Sequence, residues 1–163
     1  MKFLFLLVAG CILLVLCTPG FAADVPSNSA RPAIYDEKAD GAKQITEALT
    51  VARKENQRVL LQFGANWCGW CHRLHKLFQA DAKIAAVLKE AYVVVLVDVN
   101  KTHNAAINRK YGNPMQHGLP VIVILDADGR AVVTQDTGQL EEGDHHDPSK
   151  VLAFLTRWAP KKK

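Results

Sequence analysis

The chain has 163 residues, of which 49% are hydrophobic and 22% are charged, and its formal net charge at pH 7 is +4. This length and composition are those of one globular domain with enough apolar material for a core, and no repeat or low-complexity segment interrupts it. The small net charge does not indicate nucleic-acid binding, so we expect no such partner. The last three lysines, residues 161–163, are expected to form a short solvated basic tail.

The amino-terminal segment has the pattern of a secretory signal peptide. Lys2 is followed by an uncharged apolar run over residues 3–17, and small residues precede a cleavage point after Ala22. Because the run is short for a membrane span, we expect residues 1–22 to be removed, with no stable membrane insertion afterwards. The mature protein is then expected in the periplasm or outside the cell.

The first part of the mature chain leads from a polar segment into a strand and a helix. Residues 23–38 are polar and contain several prolines, which predicts a flexible lead-in. An amphipathic helix is predicted between Ala39 and Asn56, and a continuous apolar strand over Arg58–Phe63. The segment Cys68-Gly69-Trp70-Cys71 follows at the junction between that strand and the next helix.

The rest of the chain alternates helices and strands. Asp81 is expected to cap a second helix that ends near Glu90, and Tyr92–Val99 is predicted to be a buried strand parallel to the first. His145 and His146 are expected to be solvated loop residues. A short helix, a hairpin, an irregular loop and a last helix follow over Asn104–Tyr111, Val121–Gln135, Thr137–Asp147 and Pro148–Trp158. This order predicts an α/β domain over residues 39–160, with a central mixed β-sheet and helices on both faces.

Two cysteines three residues apart at the start of a helix are suited to redox chemistry. Such positions share one helix face, close enough for a disulfide, and the unpaired N–H groups of the helix N-terminus favour a thiolate at the first cysteine. Once residues 1–22 are removed, Cys68 and Cys71 are the only cysteines left. A disulfide loop this short contributes little stability, so the pair indicates chemistry or a ligand.

Two stretches resemble the thioredoxin superfamily. The segment Phe63–Cys71 is similar to its active-site segment, and Leu119-Pro120 before an apolar strand is similar to its cis-proline loop. More narrowly, the Trp-Cys-Gly-Trp-Cys motif resembles that of exported bacterial thioredoxin-like proteins. The resemblance implies a thioredoxin-like fold and a thiol:disulfide oxidoreductase, in which Cys68 attacks a substrate disulfide and Cys71 resolves the mixed disulfide. No cofactor is implied beyond the Cys68–Cys71 disulfide itself.

The resemblance also implies roles for neighbouring residues and partners. Trp67 is expected to pack beside Cys68, with Gly69 inside the motif, and the backbone of Leu119 with a cis Pro120 is expected to pair with an extended substrate strand. The implied substrates are protein thiols or disulfides. A second redox protein would recycle the cysteine pair, and the protein is expected to be a monomer.

Two residues depart from the thioredoxin pattern. Gln62 stands where thioredoxin has a buried acid, and Trp70 stands where it has a proline. Without that acid, and with His72 beside the motif, the Cys68 thiolate should be favoured. A more stable thiolate makes the disulfide more oxidising, which favours disulfide formation or isomerisation, although the sequence leaves the direction of exchange open.

Two alternatives use the same cysteines. The segment Cys68–His72 also matches the C-x-x-C-H signature of c-type haem attachment, which would make the protein an exported electron carrier. The strand before the motif and Leu119-Pro120 after it favour the redox enzyme. A zinc site is disfavoured because Cys68, Cys71 and His75 have no fourth ligand nearby in the sequence, and we expect no metal.

Overall fold

The computed structural model describes residues 31–161. The predicted signal peptide, the first residues of the lead-in and the last two lysines lie outside the described residues. In the described part of the chain, no helix has the length and apolar character needed to cross a membrane. Its helices and longer strands are, in order, α1 (Gly41–Glu55), β1 (Arg58–Gly64), α2 (Gly69–Ala80), α3 (Ala82–Ala91), β2 (Tyr92–Asp98), α4 (Ala105–Lys110), β3 (Val121–Leu125), β4 (Ala131–Asp136) and α5 (Pro148–Arg157).

The four longer strands form one mixed sheet in the order β2-β1-β3-β4. β1 runs parallel to β2, with Leu61 opposite Val95, and antiparallel to β3, with Leu61 opposite Val123. Helices α2 and α3 form the crossover that joins the parallel pair, as the sequence predicted. The predicted α/β architecture, a central mixed β-sheet with helices on both faces, is confirmed.

Strand β1 separates two hydrophobic cores. Because successive strand residues face opposite sides of a sheet, Leu61 and Phe63 pack with residues of α1 and α4, whereas Leu60 packs with residues of α2, α3 and α5. All three side chains are fully buried, and each stabilises the fold by about 1.5–3 kcal/mol. The strand that leads into the cysteine motif is therefore held on both faces.

Asp81 separates the two crossover helices. It has extended backbone angles and ends α2, and its carboxylate accepts the backbone N–H groups of Lys83 and Ile84, each at 2.9 Å, at the start of α3. The predicted cap is confirmed. Removing such a cap costs about 1 kcal/mol of stability.

Two predicted elements differ from the structure. Strand β2 and its parallel direction are confirmed, and four of its seven residues are buried. It is nevertheless an edge strand with Val94 38% exposed, so the prediction that it is buried throughout is wrong at Val94. The predicted irregular loop Thr137–Asp147 contains a 3-10 helix, Thr137–Leu140, and a short hairpin of β5 (Glu141–Glu142) and β6 (His145–His146). The tight turn of this hairpin includes Gly143, whose φ of 59° favours glycine.

Within the described end of the predicted lead-in, residues 31–38, Ile34 and Tyr35 pack on the domain. Tyr35 is only 3% exposed, and its backbone is hydrogen-bonded to the side chain of Asn66 in the motif turn. The prediction of a flexible segment is therefore wrong at Tyr35. The Tyr35 ring removes a large apolar area from water when it is buried, and this favourable free energy orders a segment whose neighbouring residues are polar.

Candidate active site

The Cys68–Cys71 disulfide lies at the N-terminus of α2. Cys68 is the N-cap residue, and its Sγ accepts a hydrogen bond from the backbone N–H of Cys71 at 3.2 Å. The two Cα atoms are 5.3 Å apart, within the ordinary range for a disulfide. Cys71 is fully buried while Cys68 is 6% exposed, so the structure leaves Cys68 as the sulfur that an incoming thiolate can approach.

The loop before β3 lies directly against Cys68. The carbonyl oxygen of Leu119, 51 residues further along the chain, is 3.6 Å from Cys68 Sγ. The Leu119–Pro120 peptide bond is cis, and the Thr137 hydroxyl donates a hydrogen bond to the carbonyl of Pro120. Pro120 is buried and Leu119 is half-buried. The tertiary fold thus brings together the two stretches that carried the family resemblance.

Trp67 and Gly69 flank Cys68 on either side. Trp67 is 65% exposed, and its indole N–H donates to Asn100 Oδ1 at 3.3 Å. The Trp67 ring is therefore a surface side chain and not part of the core. Gly69 is half-buried and is the first residue of α2.

Trp70 lies half-buried beneath the β5–β6 hairpin. Its ring meets the buried ring of His146 edge to face, with centroids 5.3 Å apart, and the Arg73 guanidinium lies 4.6 Å from the Trp70 ring centroid. The prediction that both hairpin histidines are solvated is wrong for His146, because the hairpin folds back onto α2; His145 is exposed. Trp70 therefore connects the redox motif to a part of the chain that sequence patterns did not associate with it.

Gln62 is fully buried in β1 behind Cys71. Its side-chain Nε2 donates to the Tyr35 hydroxyl oxygen at 2.7 Å and lies 3.5 Å from the carbonyl oxygen of Cys71. The position that holds an acid in thioredoxin is therefore occupied by a neutral amide in direct contact with the motif.

His72 faces the motif turn. Its Nε2–H donates to the backbone carbonyl of Asn66 at 2.8 Å. Covalent haem attachment needs two free sulfurs and a histidine nitrogen available to iron, whereas here the sulfurs are joined to each other and the His72 nitrogen is engaged. The residues do not fit a c-type haem.

Two residues beside the cysteines were not predicted from the sequence: Tyr35 and Asn66. Tyr35 belongs to the same buried cluster as Cys68 and Cys71, and burial raises the pKa of its hydroxyl well above the ordinary value. The apolar pair Ile34-Tyr35 in an otherwise polar stretch was the available signal. Such an isolated apolar pair in a polar stretch indicates that the segment packs against another part of the folded chain.

A protein-family model described as thioredoxin-like matches residues 41–127, more than half of the chain. The chain belongs to the thioredoxin-like family. The solved structure of a disulphide isomerase from Xylella fastidiosa Temecula1 is similar to this thioredoxin-like protein, with 32% identity and a TM-score of 0.70. The similarity covers 78% of this chain and 98% of the Xylella chain.

Two further relatives carry the name DsbD. The thiol:disulfide interchange protein DsbD of Vibrio vulnificus (strain CMCP6) is 30% identical over 95 residues, which cover 58% of this chain and only 16% of DsbD. The reduced C-terminal domain of Neisseria meningitidis DsbD shares the fold, with a TM-score of 0.54 and 20% identity, over 73% of this chain and 96% of that domain. The predicted class, a thiol:disulfide oxidoreductase of the thioredoxin superfamily, is confirmed.

Proposed function

We propose that this protein is exported and exchanges disulfides with client proteins through Cys68 and Cys71. The observation that carries the proposal is the asymmetry of the pair: Cys68 caps α2 and retains 6% exposure, whereas Cys71 is fully buried. Export is supported by the pattern of residues 1–22. The clients are protein thiols or disulfides, and a second redox protein returns the pair to its starting state.

The exchange proceeds in two balanced steps. A client thiolate attacks Cys68 Sγ, a client–Cys68 bond forms, the Cys68–Cys71 bond breaks, and its electron pair passes to Cys71 Sγ. A second client thiolate then attacks the client sulfur of the mixed disulfide, which releases Cys68 as a thiolate and leaves the client oxidised. The same steps in reverse reduce a client disulfide. The Cys68 thiolate is stabilised by the Cys71 N–H and by the N-terminal dipole of α2.

Client binding is assigned to the backbone at Leu119, to Pro120 and to Trp67. The Leu119 carbonyl lies 3.6 Å from Cys68 Sγ, so a client strand that pairs with the backbone there has its own sulfur next to Cys68. Trp67, the residue before Cys68 in the chain, offers an exposed aromatic surface to the client. No part of this assignment requires a cofactor, and the protein acts as a monomer.

The direction of exchange is proposed to be oxidation or isomerisation. Gln62 places no negative charge beside the cysteines, and a thiolate free of that repulsion makes the disulfide more oxidising. The Xylella relative is named a disulphide isomerase, which agrees with this direction.

The test uses the purified mature chain. Its reduction potential, measured by equilibration with glutathione, is expected to be less negative than the roughly −270 mV of thioredoxin. It should also oxidise a peptide dithiol, and Cys68→Ser should abolish this activity. Absence of exchange in the wild type would overturn the proposal, and a visible Soret absorption band would favour the haem alternative.

A further inference from the structure

The segment Ile34–Glu37, here named the strap, is fastened across the motif turn by one side chain. Asn66 Oδ1 accepts the backbone N–H groups of Ile34 and Tyr35, each at 2.9 Å. Asn66 Nδ2 donates to the Tyr35 carbonyl at 3.0 Å and to Glu37 Oε1 at 2.9 Å. The amide of Asn66 is thus hydrogen-bonded on both its oxygen and its nitrogen, so the strap has a defined position beside the cysteines.

The strap places the Tyr35 hydroxyl next to Cys71. A methyl group built on Gly64 would overlap the Tyr35 hydroxyl oxygen and would lie 2.7 Å from Cys71 Sγ. The hydroxyl and the sulfur therefore approach the same point above Gly64, where only a residue without a side chain leaves room for both. Tyr35, Cys68 and Cys71 accordingly form one buried cluster.

The hydrogen bonds at Tyr35 leave its proton available for donation. The Gln62 amide N–H donates to the Tyr35 oxygen at 2.7 Å, so that oxygen acts as the acceptor in this contact and the phenol keeps its own hydrogen as a donor. Burial, reinforced by the Asp98 carboxylate, raises the Tyr35 pKa, which keeps the group a neutral phenol. Such a group donates a hydrogen bond but does not act as a base at neutral pH.

We propose that Tyr35 is the hydrogen-bond donor that stabilises the Cys71 thiolate during disulfide exchange. Gln62 occupies the sequence position of thioredoxin's buried acid and carries no charge. We infer that the neutral Tyr35 hydroxyl supports Cys71 instead, by donating a hydrogen bond and not by transferring a proton. The inference rests on the proposed exchange reaction and adds a residue to it.

The step concerned is the breaking and re-forming of the Cys68–Cys71 bond. When a client thiolate bonds to Cys68, the electron pair of the broken bond moves to Cys71 Sγ, and the Tyr35 O–H donates a hydrogen bond to that anion. In the reverse step the Cys71 thiolate attacks Cys68 Sγ and the client leaves as a thiolate. Tyr35 keeps its proton throughout, so the oxidant and the reductant are the client groups alone.

The test compares Tyr35→Phe with Tyr92→Phe in the reduced mature chain, residues 23–163, in which Cys68 and Cys71 are the only cysteines. Tyr92 is a buried tyrosine whose hydroxyl donates to the Leu155 carbonyl at 2.7 Å, so its variant also loses one buried hydrogen bond, but away from the cysteines. Reaction with 5,5′-dithiobis(2-nitrobenzoate) releases one chromophore when Cys68 attacks and a second when Cys71 resolves the mixed disulfide. The two release phases report the two cysteines separately.

In Tyr35→Phe, we expect the second phase to be about tenfold to a hundredfold slower, the range for losing a hydrogen bond to an anion, and its pH midpoint to rise. The first phase should change less than about twofold, and Tyr92→Phe should match the wild type in both. Unchanged second-phase rate and pH midpoint in a folded Tyr35→Phe would overturn the inference. So would an equal slowing of both phases, which indicates a purely structural role.

A second variant keeps the inference testable if Tyr35→Phe does not fold. Asn66→Ala releases the strap while retaining the Tyr35 hydroxyl, and it should slow the same second phase by a smaller factor. A normal second phase in that variant, with the strap shown to be displaced by faster amide exchange at Tyr35, would contradict the role. Loss of peptide oxidation in the wild type would count against the proposed function, whereas normal wild-type exchange with unaffected variants would count against Tyr35 alone.

Discussion

Acidification should destabilise the protein through His146. This side chain is buried in the hairpin against Trp70, and neither of its ring nitrogens has a hydrogen-bond partner among the described residues. Burial, and then the positive charges of Arg73 and His145, lower its pKa from 6.5 to about 4. Glu141 Oε1, 3.9 Å from Nε2, acts in the opposite direction, but burial raises the pKa of Glu141 as well.

The size of the effect follows from the difference between the two pKa values of His146. Above pH 6.5 the ring is neutral in both the folded and unfolded states and contributes nothing to pH dependence. As the pH falls below 6.5, His146 becomes protonated in the unfolded chain, whereas in the folded protein it stays neutral until about pH 4. Stability is therefore lost on acidification: about 2 kcal/mol by pH 5 and about 3 kcal/mol in full, at roughly 1.4 kcal/mol per pKa unit.

Urea unfolding of the oxidised protein at pH 7 and pH 5 measures this loss. His146→Phe keeps an aromatic ring against Trp70 and removes the titrating nitrogens. Between pH 7 and pH 5, its free energy of unfolding should therefore decrease less than that of the wild type, by a difference of about 2 kcal/mol. The matched control is His145→Gln, an exposed neighbour, which should retain most of the wild-type pH dependence. If His146→Phe loses as much stability as the wild type between these pH values, the reasoning is refuted.

Three further predictions concern the cysteine site. Cys71→Ser should trap mixed disulfides with client proteins on non-reducing gels and Cys68→Ser few or none, because Cys68 is the accessible sulfur; equal trapping would contradict these roles. Pro120→Ala should slow peptide exchange more than it lowers the thermal midpoint, because it alters the client-binding loop, and unchanged turnover would make Pro120 merely structural. Gln62→Asp should raise the pH midpoint of Cys68 alkylation, since a buried carboxylate repels the thiolate, and an unmoved midpoint would disprove this charge effect.

The sequence by itself determined the unit that carries the chemistry. The apolar run of β1, the spacing of Cys68 and Cys71, and the cap at Asp81 are local patterns, and local backbone geometry follows directly from them. Leu119-Pro120 was also predicted as part of the site, although only through its resemblance to a family. The mixed sheet followed from the order of these elements.

Tertiary structure alone decided which other side chains meet the cysteines. Tyr35 reaches Cys71 because an amide side chain 31 residues away holds its backbone, and no period or spacing in the sequence encodes such a contact. The same holds for His146, which is buried because a two-residue strand pair folds onto α2. The exposure of Val94 likewise depends on the position of β2 at the sheet edge, which strand order decides and hydrophobicity does not. Local patterns specify elements, whereas burial of a polar or aromatic group depends on partners that only the folded chain brings within reach.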